Sequence, residues 1–312
     1  MIEVKSITKK FGSAYAIEDI SFKIEEGEIV GLLGPNGAGK STTMNIITGF
    51  IEPTDGEVFI DGINMIKNPR KAKKEIGYMP EGVPLYSDLT VKEFVTYMAG
   101  IKKVNRKEIK EKVNNIIEQT GLKDVQNQLT RNLSRGYKQR VSMAGALVGK
   151  PKVLILDEPT VGLDPKQIME IRSLIKKLGK EHTVILSSHI LSEVSQICDR
   201  VIIINKGKVI AIDTPDNLEN KVSNDNSIYV TVEDLDNKVE GLKKSINGVN
   251  NIEFIKTNDD GTKQYLITGT EDLRKVVFET FAKENITIFE MKKSDVTLED
   301  AFMKLINEGG EK

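Results

Sequence analysis

Apolar and polar residues alternate through IEVKSITKKF, ISFKI and EIVGLL within the first 33 positions, the period-two spacing of half-buried strands. GSAYA and EEGE between them supply the glycine and charge of turns. GEVFIDGIN at 56–64 and EIGYMPE at 75–81 carry further strand signals, the second running out to Glu81. From about Thr90 to Gly149 the spacing changes. TVKEFVTYMAGI, KEIKEKVNNIIEQTGL and GYKQRVSMAGALVG place apolar residues three and four apart, which predicts an all-helical block inserted between strands. VLIL at 153–156 is four apolar residues in a row, as in a strand buried on both faces of a parallel sheet. KQIMEIRSLIKKLGKE, TVILSS, ILSEVSQICD and RVIIIN then read helix, strand, helix, strand, and this order predicts a doubly wound α/β domain.

Further on, SIYVTVE, NKVEGLKKSI, NIEFIKT, KQYLITG, EDLRKVVFETFAKE and ITIFEMK read strand, helix, strand, strand, helix, strand, the order of a ferredoxin-like unit. A last segment, TLEDAFMKLINE, has Leu298, Ala301, Phe302, Leu305 and Ile306 on one helical face and is expected to dock. Asn and Asp at about 220–227 mark a linker. The expected organisation is therefore an α/β domain over residues 1–218, its helical insert at about 90–149, and a small α+β domain over 219–312. At 312 residues the chain is long enough for a core in each. The second domain carries no chemistry-bearing motif. Packing and ligand sensing both remain open for it.

Charge narrows the partners. With 45 basic and 46 acidic residues the net charge is −1, so no overall field recruits a polyanion, and no nucleic acid is expected. The mixed-sign stretch 102–112 reads as a solvated helix face. Cys198 is the single cysteine and sits in QICDRVIII, where a small apolar core residue and a reducing, cytoplasmic compartment are expected. No stretch approaches the ~18 apolar residues that cross a bilayer, and MIEVKSITKK lacks a signal peptide's apolar core. His182 precedes its strand in a polar turn and is expected to be solvated.

The chemistry concentrates in GLLGPNGAGKST, residues 31–42. Gly34, Gly37 and Gly39 let the loop Gly34-Pro35-Asn36-Gly37-Ala38-Gly39 wrap tightly, so that backbone N–H groups converge on phosphate oxygens. Lys40 reaches the terminal phosphates, the Ser41 hydroxyl is placed for Mg²⁺, and Thr42 continues a helix whose N-terminus faces the same anion. Asp157 and Glu158 follow VLIL, so two carboxylates stand at the carboxyl end of a buried strand, where α/β sheets bind ligands. His189 follows TVILSS at the same edge. Phe11 ends the first strand, and a core aromatic and a ligand contact are both open there.

GPNGAGKST, LSRGYKQR, DEP after VLIL, GLDP and SSH, in that order and spacing over residues 1–218, resemble the nucleotide-binding subunit of an ABC transporter. Among these the chain is most similar to ATPase subunits of drug, antimicrobial-peptide and sodium exporters, whose permease is a separate chain. The resemblance implies a P-loop NTPase with an antiparallel β subdomain, ATP and Mg²⁺ as ligands, and a location at the inner membrane face through the permease. It implies that Phe11 stacks on adenine, Lys40 and Ser41 hold phosphate and Mg²⁺, and Asp157 holds Mg²⁺ through water. Glu158 then serves as base for the attacking water and His189 contacts the γ-phosphate. Ser134, Gly136 and Asp164 act across a dimer interface, with a second copy or a second ATPase subunit. Two positions depart from the family pattern. Glu81 stands where glutamine is usual, as a further Mg²⁺ ligand that adds negative charge, and LSRGY replaces LSGGQ, bringing Arg135 and Tyr137. The permease is expected on Gly82–Gly100, through exposed Pro84, Leu85 and Tyr86. A soluble ABC-type ATPase acting on ribosome or nucleic acid is the alternative, but its paired cassettes or long heptad arms are missing. A non-hydrolysing sensor has no use for Glu158 and His189.

Overall fold

In the computed structural model, the residues described are 1–82, 85–188, 190–222, 227–234, 238–293, 302, 303 and 306. The chain divides into two compact units, Met1–Pro215 with Leu305–Lys312, and Asp216–Lys304. The strands of the first unit are β1 (Ile2–Phe11), β2 (Ala14–Ile24), β3 (Ile29–Leu33), β4 (Asp55–Ile60), β5 (Ile63–Asn64), β6 (Ile76–Met79), β7 (Val153–Leu156), β8 (Thr183–Ser188), β9 (Arg200–Asn205) and β10 (Lys208–Asp213).

They form two sheets. One is ordered β2-β1-β4-β5 and is antiparallel. The other runs β10-β9-β3-β8-β7-β6, parallel throughout except for β10 at its edge. Their apolar faces share one core with the helix Lys40–Ile47: Ile2, Ile7 and Ile20 meet Val30, Leu32, Ile155 and Ile202 beside Met44 and Ile47. Burying each such side chain contributes roughly 1.5–3 kcal/mol before the cost of ordering it. β3, β8, β7 and β6 are parallel neighbours, so their carboxyl ends share one edge. That edge receives the loop after Leu33, Asp157 after Leu156, and Glu81 after Met79.

The expected insert is helical, with Val91–Ile101, Ile109–Gln119 and Arg135–Leu147 packed through Phe94, Val95, Val113, Ile117 and Val141. Its first helix opens on a capping box: Thr90 accepts from the Glu93 amide at 3.2 Å, and the Glu93 carboxylate accepts from the Thr90 amide at 2.8 Å. Leu85, expected exposed, is half-buried against this core, whereas Tyr86 is exposed. Pro84 lies outside the described residues. His182 is corrected as well. Its ring is buried, with Nδ1 2.7 Å from the Pro151 carbonyl, because the turn before β8 folds against the start of β7. Cys198 is buried as expected, and burial pushes its thiol pKa up. The segment ILSEVSQICD forms only a short helix at Leu191–Val194.

The second unit contains β11 (Ile228–Glu233), β12 (Val249–Thr257), β13 (Lys263–Gly269) and β14 (Thr287–Lys293), ordered β12-β13-β11-β14 and antiparallel throughout. This is the strand order of a ferredoxin-like sheet. The helix Arg274–Lys283 buries Val277 and Phe281 in a core with Val230, Val232 and Ile267. The helix expected over NKVEGLKKSI is instead a 3₁₀ segment, Val239–Lys244. Gly241 weakens it, and the Asp234 carboxylate holds its start by accepting from the Lys238 amide at 2.8 Å. Buried Tyr265 donates to the same carboxylate at 2.6 Å, and its burial raises the phenol pKa. Part of the expected linker is helical, Pro215–Val222, and 223–226 lie outside the described residues. So do Leu298, Ala301 and Leu305 of the last apolar face, whereas Phe302 is buried and the Ile306 carbonyl accepts from Asn205 Nδ2 at 3.4 Å.

Candidate nucleotide site

β3 delivers the glycine loop to the sheet edge. A Cβ on Gly34 would stand 2.3 Å from the Ile204 carbonyl oxygen, so only glycine lets the loop pass β9 this closely. Gly39 adopts φ 110° and caps the helix Lys40–Ile47, a conformation that side chains rarely reach. Lys40 folds back over the loop, its Nζ donating to the Gly34 carbonyl at 2.7 Å and to Pro35 at 3.2 Å. Burial lowers its pKa, while Glu158, Asp157 and Glu81 act in the opposite sense. The ammonium therefore sits in the field of all three carboxylates, held by two backbone carbonyls. Ser41 is exposed beside it, Pro35 and Asn36 are exposed on the loop, and Ala38 is buried, its carbonyl accepting from Gly207 at 2.9 Å.

The carboxylates are set by β7 and β8. Asp157 is buried, its amide donating to the Met79 carbonyl at 2.8 Å and its Oδ1 accepting from Ser187 Oγ at 2.5 Å. Ser187 Oγ in turn accepts from the Glu158 amide at 2.9 Å, and Glu158 takes φ 48°. One hydroxyl thus fixes both acids. Leu156 pairs with Leu186 across the two strands, so the next residue on each side, Asp157 and Ser187, are neighbours. In the sequence Ser187 stands within TVILSS and SSH with no role assigned to it, and its full burial beside Asp157 emerges only in the fold. Thr160 donates to the buried Glu193 carboxylate, which anchors the loop that follows Glu158. Tyr78, half-buried under Asp157, has its pKa pushed up to about 12, first by burial and then by that charge.

These groups surround a cavity of about 510 Å³. Asn36, Gly37, Gly39, Lys40, Ser41, Thr42, Glu81, Asp157 and Glu158 line it, together with Tyr15, Ala16, Val161, Lys206 and Gly207. Glu81 is exposed at its mouth. Tyr15 forms the aromatic part of the wall. Phe11 lies beside it on the β1–β2 hairpin, paired with Ala14 and 57% exposed, and does not line the cavity. Tyr15 and Lys206 were missed because neither belongs to a motif. His189 lies outside the described residues.

Ser134, Gly136 and Asp164 come together elsewhere, on a second cavity of about 400 Å³ that shares no lining residue with the first. Ser134 caps the helix Arg135–Leu147, accepting from the Tyr137 amide at 3.5 Å. Asp164 caps the helix Pro165–Gly179, accepting from the Gln167 amide at 2.9 Å. A Cβ on Gly136 would lie 2.9 Å from the Gln167 side chain, which accounts for the glycine and for the close packing of the two helix starts.

The family described as ABC transporter matches residues 17–161. The uncharacterized ABC transporter ATP-binding protein YhcH of Bacillus subtilis is 36% identical over 99% of this chain and 96% of its own length. The bacitracin transport ATP-binding protein BcrA of Bacillus licheniformis is 35% identical over 99% and 98%. Among solved structures, the dimeric post-hydrolysis state of the ATP-binding cassette MJ0796, bound to ADP and Pi, superposes with a TM-score of 0.62 at 30% identity, over 69% of this chain and 98% of that one. The glycine loop over Lys40, the paired acids on Ser187 and these full-length likenesses together make the chain a member of the ABC transporter ATP-binding proteins, an ATP-hydrolysing subunit with the cassette fold.

Proposed function

We propose that the chain powers export through a separate transmembrane permease by closing, as a dimer, around two ATP molecules. The observation that carries this reading is the separation of the two cavities: Lys40 and Ser134 line different pockets of the same chain. A second cassette, a copy of this chain or a related subunit, would bring its Ser134, Gly136 and Asp164 over the ATP held by Lys40. Export is supported by relatives such as the linearmycin resistance protein LnrL and BcrA. No helix among the described residues is long and apolar enough to cross a membrane; in this reading the permease carries the site to the membrane.

In this reading the loop amides and Lys40 hold the phosphates and Glu158 takes the proton of the attacking water, roles that their common cavity supports; the γ-phosphate contact of His189 rests on the family resemblance alone. Mg²⁺ fits the donor set, because Asp157 commits Oδ1 to Ser187 while the Ser41 hydroxyl and the Glu81 carboxylate also line the cavity. Among the described residues no cluster of three acidic, His or Cys ligands could hold a metal alone. Such an ion would share its coordination with phosphate oxygens, as magnesium commonly does, and would neutralise charge on them. An aromatic contact to adenine falls to Phe11 or its neighbour Tyr15. The permease would meet the cleft between insert and sheet lined by Phe50, Tyr78, Met98 and Lys102, where Phe50 is 77% exposed.

Glu158→Gln preserves shape and removes the base. It is expected to bind ATP, hydrolyse it at least 100-fold more slowly, on the order expected for loss of a general base, and accumulate as an ATP-dependent dimer in size-exclusion chromatography. Normal hydrolysis by this variant would move the base elsewhere, with Glu81 next in line.

A further inference from the structure

We propose that the chain carries a binding site for a small organic ammonium ion at the sheet edge opposite the nucleotide, built around His182. A cavity of about 490 Å³ opens there, between the insert helix Ile109–Gln119, the chain entering β7 and the turn before β8. It shares no lining residue with the nucleotide cavity or with that of Ser134, and its size is that of ordinary small-molecule sites. From this edge β7 runs to Asp157 and Glu158, and β8 runs to Ser187, so an occupant sits at the far ends of the strands that carry the hydrolytic centre. His182 supplies the anchor. It is only 9% exposed, and the Pro151 carbonyl that its Nδ1 meets can only accept, so Nδ1 carries the proton of the neutral ring. That leaves a lone pair on Nε2. Nε2 has no partner among the described residues and is not sealed from solvent, so the lone pair faces the cavity that His182 lines.

The walls select the charge of the ligand. Three acids and three lysines line the cavity, but they are not equally free. Glu108 holds Lys112 at 2.6 Å, and Lys152 is held at 2.6 Å by Asp61, which is not part of the lining. Glu111, Glu181 and Lys150 remain, each exposed and without an ion pair or side-chain hydrogen bond among the described residues. Two carboxylates against one ammonium leave an excess of negative charge, and the Nε2 lone pair adds a further acceptor. Ile116, Leu147 and Pro151 supply the apolar part of the wall. A metal ion does not match this set, because no group of three His, Cys, Asp or Glu among the described residues could hold one. The match is an apolar body bearing an ammonium group, whose N–H donors meet Nε2 and a carboxylate while the body covers the apolar wall.

The test uses the full chain saturated with MgADP, so that the nucleotide cavity is occupied, and three indole probes: tryptamine, its neutral counterpart tryptophol and its anionic counterpart indole-3-propionate. The chain has two histidines, so nitrogen-15 labelling of histidine gives two ring spectra, which the variant His189→Gln assigns. Tryptamine is expected to shift the His182 Nε2 resonance with half-saturation at about 1 mM, the scale for a ligand of this size. Tryptophol should bind about fivefold more weakly, as expected for loss of a charge-assisted contact at an exposed carboxylate, and indole-3-propionate more weakly still. Glu111→Gln combined with Glu181→Gln should erase the advantage of tryptamine over tryptophol and leave the melting midpoint unchanged, since both side chains are exposed and unpaired. His182→Asn, whose amide can still donate to Pro151, should weaken tryptamine about tenfold. Three results would each overturn the site: no Nε2 shift at tryptamine concentrations about tenfold above that half-saturation, a shift that all three probes produce alike, or an advantage of tryptamine that survives the double carboxylate substitution. If His182→Asn fails to fold, the Nε2 shift and the carboxylate variants decide the matter without it.

Discussion

Ser187 Oγ is the smallest part on which the hydrolytic centre depends. It donates to Asp157 and accepts from the Glu158 amide, so its removal takes one hydrogen bond from a buried carboxylate and one from the backbone of the next residue. Ser187→Ala is expected to cost roughly 1–3 kcal/mol of stability, the usual penalty for orphaned buried polar groups. The loss of turnover should exceed what that cost explains, because Glu158 also loses its fixed backbone. Urea midpoints and kcat measured on the same preparation check this, and wild-type values in both would make the hydroxyl dispensable. Lys40, Ser41, Asp157 and Glu158 were legible in the sequence, since their chemistry demands those residue types at a fixed spacing. Ser187, Tyr15 and Lys206 were not, because each reaches the site through register or folding of a distant segment.

Among the elements, periodicity identified the parallel strands and the three helices of the insert, since each buries a long apolar face. It overstated the segments held by few contacts. NKVEGLKKSI and ILSEVSQICD both carry helical spacing, yet Gly241 and the Asp234 cap reduce the first to a 3₁₀ segment, and the second keeps one turn, Leu191–Val194. His182 was misjudged because its polar neighbours conceal a turn packed against Pro151. The glycine loop shows the converse, a local sequence dictated by a distant strand. Gly34→Ala would push a Cβ into the Ile204 carbonyl 2.3 Å away and force the loop off β9. The expected result is a loss of about 1–3 kcal/mol, the range for overpacking, and at least tenfold weaker ATP binding by a fluorescent nucleotide titration. Unchanged affinity would show that the loop tolerates the shift.

At the scale of the molecule, the start of the helix Arg135–Leu147 and the phosphate loop belong to one folded unit but open onto separate cavities. The sequence displayed both motifs, and only the fold shows that they line different pockets of one chain. An insert that leaves the sheet after β6 and returns at β7 puts Ser134 on its own surface, available to a neighbour. The most direct measurement is complementation. Lys40→Ala and Ser134→Arg chains, each inactive alone, are mixed and assayed for ATPase activity over a range of total concentration. A mixed dimer has one interface with both lesions and one with Lys40 and Ser134 intact. Activity should therefore return partially and rise with chain concentration, as for a site built by association. No recovery at any ratio, with mixed dimers demonstrated in solution, would contradict a nucleotide site shared between chains.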